Sequence, residues 1–178
     1  CTRDDAAGEC FDKIARVLGL PYPGGKPMED LAEGGDDTKY PLPRAKIAGC
    51  ALDMSFSGLK TAAVNLVHNA GQKGEEIDRS SLAASVAAAI SEELVPRAIR
   101  AAEQCGYKTL AAAGGVAANK RIRADLERAC REKGIKLYLP PLSLCGDNGA
   151  MIGCQAYYEY LAGVRGDMSL NAYANLEI

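Results

Sequence analysis

Residues 107–131 read YKTLAAAGGVAANKRIRADLERACR, and the fold turns on how they are parsed. Leu110 to Ala113 form an apolar run bounded by turn formers, which predicts a short buried strand. Gly114 and Gly115 follow, and glycines there let the backbone approach a ligand with no Cβ in the way. The period then changes, with Ile122, Leu126, Ala129 and Cys130 falling on one helical face. A strand that feeds a basic amphipathic helix through two glycines aims unpaired N–H groups and a positive dipole end at one spot. That arrangement suits a phosphate or a carboxylate. The same turn also serves as a plain strand-to-helix connection, and the G-x-x-x-x-G-K-S/T frame of a phosphate loop is missing.

Composition narrows the function classes. The chain has 178 residues, 48% of them hydrophobic, enough for one ordinary domain. Its net charge of −2 argues against holding nucleic acid by charge alone. Eight Tyr, two Phe and no Trp leave few platforms for stacking bases. The longest nearly apolar stretch, Leu82 to Ile90, falls far short of the ~20 residues of a membrane span, so no membrane partner is expected. Seven cysteines are present and none forms a C-x-x-C pair. Cys10 and Cys130 fall on apolar helix faces, where the thiol acts as a small hydrophobe. Reduced thiols in a cytoplasmic protein fit that pattern better than a disulfide or zinc framework. The opening, Cys1-Thr2-Arg3-Asp4-Asp5, runs straight into a helix without an initiator Met, as a piece of a longer protein would.

Outward from the glycine turn, helices dominate a small, parallel β core, an α/β class. Asp4 or Asp5 caps a first helix through Ala7, Cys10, Phe11, Ile14 and Leu18, which Gly19 ends. PYPGGKP (21–27) is loop, and a short helix spans Met28 to Ala32. Residues 34–49 are an irregular excursion. Leu52 to Phe56 reads as a strand, and Ser57 caps a helix carrying Leu59, Ala63, Leu66 and Val67. Residues 71–78 form a polar hinge. A long helix runs from Ser80 or Ser81 to about Cys105, kinked or split by Pro96. After the glycine unit come a strand over Lys136 to Leu139, the loop PPLSLCGDNG and a last helix, Ala150 to Leu161, opened by Asp147 or Asn148.

Four segments put glycine or polar residues where a helix begins or a loop turns: DDAAGECFDK (4–13) with YPGG (22–25), SFSGLKTA (55–62), GGVAANKRIR (114–123) and CGDNGAMIG (145–153). Each has a structural explanation taken singly. Asp12 and Arg16 form an i, i+4 pair, Gly24 and Gly25 serve a turn, Ser55 and Ser57 cap, and Asp147 is an N-cap. His68, the only histidine, sits near a helix C-terminus with no ligating neighbours. No Ser/His/Asp triad assembles.

Together, in this order, the four segments resemble the TsaD family of tRNA threonylcarbamoyltransferases, once labelled sialoglycoprotein endopeptidases. The resemblance spans nearly the whole chain and matches the C-terminal half of a family member. It implies the actin-like, sugar-kinase and heat-shock-ATPase superfold, with residues 1–178 as its second lobe and the H-x-x-x-H metal pair of the first lobe absent. It implies transfer of a threonylcarbamoyl group from threonylcarbamoyl-AMP to the adenosine beside the anticodon of tRNAs reading ANN codons, with the chain alone inactive. Carried over by motif, Asp12, Gly25 and Asn119 contact substrate. Glu29 falls where many members have Asp. Gly114 and Gly115 face the nucleotide, threonylcarbamoyl-AMP or ATP. Asp147 ligates one divalent metal, iron or zinc, although C-G-D-N departs from the more frequent C-T-D-N. Implied partners are TsaB-like and TsaE-like proteins and tRNA. Two other classes stay open: a phosphotransferase lobe of the same superfold, and a non-catalytic paralogue that only docks.

Overall fold

Helix α4 (Arg79–Gln104) is the element on which the first part of the chain is built, because ten consecutive residues of it, Ser81 to Ile90, are buried. A helix buried on every side needs neighbours on every side. They are α2 (Gly25–Ala32), α3 (Ser57–Lys73) and α5 (Lys120–Lys133), all in contact with it. Helix α1 (Ala7–Val17) packs on α2 and α3 through Cys10, Phe11, Ile14 and Ala15. The sheet has two strands, β1 (Thr109–Ala111) and β2 (Lys136–Tyr138), paired in parallel with Leu110 opposite Leu137. The computed structural model describes residues 1–45, 47–49 and 51–172. Contacts divide the chain into a first unit, Cys1–Cys145, and a second, Gly146–Ile178. The second unit carries α6 (Gly149–Leu161), every residue of which is exposed. Among the described residues no helix is long and apolar enough to cross a membrane.

The expected helix-rich α/β class is what the first unit shows, with several local differences. Asp4 and Asp5 do not cap α1. Asp4 instead accepts from the N–H groups of Phe56 and Ser57 at 2.8 and 3.2 Å and from the Ser55 hydroxyl, so it caps α3 from a distance. Ser57 is therefore a helical residue rather than the cap. Asp5 pairs with Lys13 at 2.9 Å and Lys60 at 2.5 Å, joining α1 to α3. The stretch 52–56 forms no strand, only a parallel bridge between Met54 and Thr2. Helix α2 begins at Gly25, three residues earlier than expected, because a proline in the first turn lacks only an N–H that has no helical partner there. Helix α3 takes in residues 71–73 of the expected hinge and stops at Gly74, φ +68°. Helix α4 runs unbroken through Pro96. Pro96 and Glu92 are both exposed, so water can take the Glu92 carbonyl that the missing N–H would have held. Strand β1 is not buried on both faces: Thr109 and Ala111 are exposed and only Leu110 turns inward.

The described cysteines are all free, with Cys10, Cys130 and Cys145 buried, while Cys50 lies outside the described residues. Burial pushes the Cys10 thiol up to about 12 and raises that of Cys130, so both stay protonated as packing groups. Asp125, buried where α5 meets α4, accepts from the Ser91 hydroxyl at 2.6 Å, Arg121 Nε at 2.7 Å and Arg128 at 2.6 Å. Burial by itself would raise its carboxyl, but the Ser91 hydroxyl and the Arg121 guanidinium outweigh that and hold it below the ordinary aspartate value.

Two measurements check this account. Ile90, fully buried on α4, should cost about 2–5 kcal/mol of unfolding free energy when cut to Ala, read by chemical denaturation. The folded Asp125 carboxyl titrates below its unfolded value, so its contribution is complete above about pH 4 and disappears as pH falls through the folded value. An Asp125→Asn variant should therefore lose less stability than wild type on acidification below about pH 4.

Candidate functional site

Three stretches that the fold brings together enclose a cleft of about 560 Å³ in the first unit. The start of α1 contributes Ala6, Gly8, Phe11 and Asp12. The YPGG turn and α2 contribute Pro23, Gly25, Lys26 and Glu29. The glycine turn contributes Gly115, Val116, Ala118 and Asn119. Of the residues expected to meet a ligand, Asp12, Gly25, Glu29, Gly115 and Asn119 therefore share one hollow. Gly114 stands just before it and takes φ +92°, which an L-residue rarely adopts. It turns the chain from β1 into a 3-10 turn, Gly115–Ala118.

Asp12 does not pair with Arg16. Its Oδ1 accepts from the Gly24 N–H at 2.7 Å, tying the YPGG turn to α1. Gly24 lies so close to α1 that a Cβ there would stand 2.4 Å from Ala15 Cβ and 3.0 Å from Asp12 Cα. Gly25 has open space around it, as a residue facing a cleft requires. The geometry thus separates the two glycines: one keeps α1 and the turn in contact, and the other leaves room for a ligand.

The start of α5 also differs from expectation. Its amides are not free for an anion, because the protein supplies their acceptors. Asn119 is the N-cap, its Oδ1 accepting from Arg121 N–H at 3.0 Å and Ile122 N–H at 3.2 Å. The Lys120 N–H goes to Glu29 Oε2 at 2.7 Å, while Glu29 Oε1 meets Lys26 Nζ at 3.3 Å. Lys26 also reaches Asp30 at 2.5 Å, and these two carboxylates, Asp30 first, raise its pKa. Such amides satisfied from outside the helix are the ordinary solution to helix starts. The N–H groups left in the cleft are those of Gly115 and Val116, which have no backbone acceptor among the described residues. Asn119 Nδ2 joins them as a side-chain donor. The cleft thus offers donors from the glycine turn and acceptors along α1 and α2, a lining suited to a ligand with both polar characters.

Asp147 lies in the second unit. It is exposed, and the N-cap of α6 is its neighbour Asn148, whose Oδ1 accepts from Met151 N–H at 3.0 Å. Among the described residues no three His, Cys, Asp or Glu side chains gather as a metal site would need. The described residues thus do not by themselves form a metal centre, and no chemical step is routed through one. The glycine turn and the acceptor wall could be read as a site in the sequence; Lys26 at the rim and the use of Glu29 as a remote cap could not, since both depend on how α2 meets α5.

The fold is a helix-rich α/β unit with a small parallel sheet, and a glycine turn closes one side of its cleft. The chain belongs to the TsaD family, tRNA N6-adenosine threonylcarbamoyltransferase, whose sequence profile matches residues 1–154. It is 50% identical over 177 residues to a tRNA N6-adenosine threonylcarbamoyltransferase of Moorella thermoacetica, covering 99% of this chain and 52% of that protein. It is 48% identical to the protein of that name in Staphylococcus carnosus, covering 99% and 51%, and 50% identical to that of Latilactobacillus sakei, covering 99% and 52%. The chain spans about half the length of the curated relatives it matches.

A pair of glycine variants tests the cleft's architecture. Gly24→Ala should lower stability by about 1–3 kcal/mol, because two backbones must part to admit the methyl group. Gly25→Ala, with nothing within 4 Å of the new Cβ, should melt like wild type.

Proposed function

We propose that this chain is the part of a tRNA threonylcarbamoyltransferase that holds the adenylate donor. In this reading it is the second lobe of an actin-like, sugar-kinase and heat-shock-ATPase superfold. One observation carries the proposal: Asp12, Gly25, Glu29, Gly115 and Asn119, from separate motifs, line a single cleft in a chain of the TsaD family. The reaction joins the exocyclic nitrogen of a tRNA adenosine to the carbamoyl carbon of threonylcarbamoyl-AMP. The bond from that carbon to the phosphate oxygen breaks, AMP leaves, and the amine proton passes to water.

The chain's contribution is binding and orientation, since no side chain in the cleft is a credible general base for the adenine amine. Gly115 and Val116 N–H groups and Asn119 Nδ2 present donors to the negatively charged adenylate. Asp12, which lines the same cleft, has a second carboxylate oxygen besides the one that serves Gly24, and it can accept from hydroxyl groups. Held in register, donor and acceptor substrates react as one molecule would, which is where most of the rate would arise. A divalent metal with Asp147 as one ligand, TsaB-like and TsaE-like partners, and a cytoplasmic setting complete the reading, and all lie outside what this chain provides alone. The purified chain should accordingly show no threonylcarbamoyl transfer to tRNA; measurable product would contradict the proposal.

Nucleotide binding isolates the cleft's part. Asn119→Asp keeps a capping oxygen for Arg121 and Ile122 but removes the Nδ2 donor, whereas Asn119→Ala removes both. Titration calorimetry with AMP should show several-fold weaker binding for both variants, a loss of about 1 kcal/mol. Only Asn119→Ala should also lower the melting temperature. Equal AMP affinity in all three proteins would remove the cleft from the adenylate.

A further inference from the structure

The acidic balance of the whole chain hides a local excess of the opposite sign. Between Lys120 and Lys136 stand seven basic residues against three acidic ones, in a chain of net charge −2. Part of that charge is consumed internally: Arg121 pairs with Asp37 and Asp125, Arg128 with Asp125, and Lys133 with Glu103 at 2.9 Å. Lys120 meets Glu33 at 3.5 Å and Arg123 donates to the Ala117 and Pro140 carbonyls, so of the seven Arg131 and Lys136 remain, near where α5 hands the chain to β2. Arg131 lies exposed in the last turn of α5. Lys136 and Lys108 are exposed on adjacent chain segments, with the Lys136 N–H donating to the Lys108 carbonyl at 2.8 Å. None of these three cations is in an ion pair among the described residues.

Aromatic surface lies among them. Tyr107, next to Lys108, is 66% exposed, and Tyr138, two residues beyond Lys136, is 50% exposed. Lys136 and Tyr138 share one face of β2, since side chains alternate along a strand. Lys136 Nζ stands 4.6 Å over the Tyr138 ring, in a residue that is half exposed. Unpaired cations interleaved with uncovered rings are what a single-stranded nucleic acid uses: phosphates meet the charges and unstacked bases lie on the rings.

We propose that Lys108, Arg131 and Lys136, with Tyr107 and Tyr138, form an RNA-docking surface at this end of the sheet. It would engage the phosphodiester backbone and unstacked bases of the tRNA, apart from the cleft that holds the adenylate. The assignment of tRNA as the partner rests on the function proposed above. The charges supply affinity and salt dependence, and Tyr138 supplies a contact that ionic strength does not screen.

Anisotropy titrations of a fluorescent tRNA between about 50 and about 200 mM salt test this. A triple variant, Lys108→Glu, Arg131→Glu and Lys136→Glu, should bind at least about tenfold more weakly and lower the slope of log affinity against log salt by about 2–3. Tyr138→Ala should weaken binding roughly fivefold or more with the slope unchanged. Arg16→Glu, an exposed cation on α1 without an ion pair, should stay within about twofold of wild type if the effect is local. Circular dichroism checks that all variants fold. Wild-type affinity in the triple variant, equal harm from Arg16→Glu, or binding of polyglutamate as tight as tRNA would overturn the proposal. AMP titrations on the same proteins separate the two readings. Absent AMP binding with variant-sensitive tRNA binding faults the cleft alone, and variant-insensitive tRNA binding with intact AMP binding faults this surface alone.

Discussion

Every helix starts with amides that its own turns cannot satisfy, and in this protein other elements supply the acceptors at two of those starts, α3 and α5. Asp4 serves α3 from ahead of α1, and Glu29 serves α5 from α2. Asp12 does the same for the YPGG turn that leads into α2. Other caps are local: Glu9 takes the Ala6 N–H at the start of α1, Asp78 accepts from the Ser81 N–H at 3.1 Å, and Asn119 and Asn148 open α5 and α6. The remote caps make secondary structure and tertiary structure one problem, because the starts of α3 and α5 are completed only when distant segments arrive. They also build the cleft, since Asp12 and Glu29 are two of its walls and each is fixed by the amide it serves.

That reciprocity defines what was readable in the chain. Periodicities located all the helices, and Ile122, Leu126 and Cys130 are buried as their spacing implies. The glycine turn and the parallel pairing of β1 with β2 follow from apolar runs and turn formers. The motif residues that share the cleft were legible only together: singly Asp12, Gly25 and Asn119 each have a structural use, and the joint resemblance of four segments to one family marks them out. Remote caps were not legible. Asp4 and Asp5 precede α1 and look like its caps, yet the acceptor that Phe56 needs is 52 positions away in sequence. Nothing local distinguishes the two uses of a carboxylate. Pro96 misled for a related reason: the penalty of a proline depends on whether water reaches the carbonyl it orphans, and exposure is decided by packing.

Net charge does not tell which cations stay available, for the same physical reason. Salt bridges and caps consume charges selectively, so the cations left unpaired are set by geometry rather than by the sum. Arg121 and Arg128 point at Asp125 and support the α4–α5 contact, while Arg131, one turn on from Arg128, meets no carboxylate. A sequence total treats the three alike.

Helix α4 has a consequence of its own. Beside Leu82, Val86 and Ile90, its buried stretch presents Ala83, Ala84, Ala87, Ala88 and Ala89, so the surface between those three larger side chains is nearly smooth. Most interiors suffer chiefly from lost volume, but a rod of methyl groups has little volume to lose. Here the damaging drift would be toward bulk, because each added carbon must push a whole helix outward. The alanine positions of this helix are therefore guarded against growth more than against erosion, whereas Leu82, Val86 and Ile90 keep the ordinary sensitivity to lost volume.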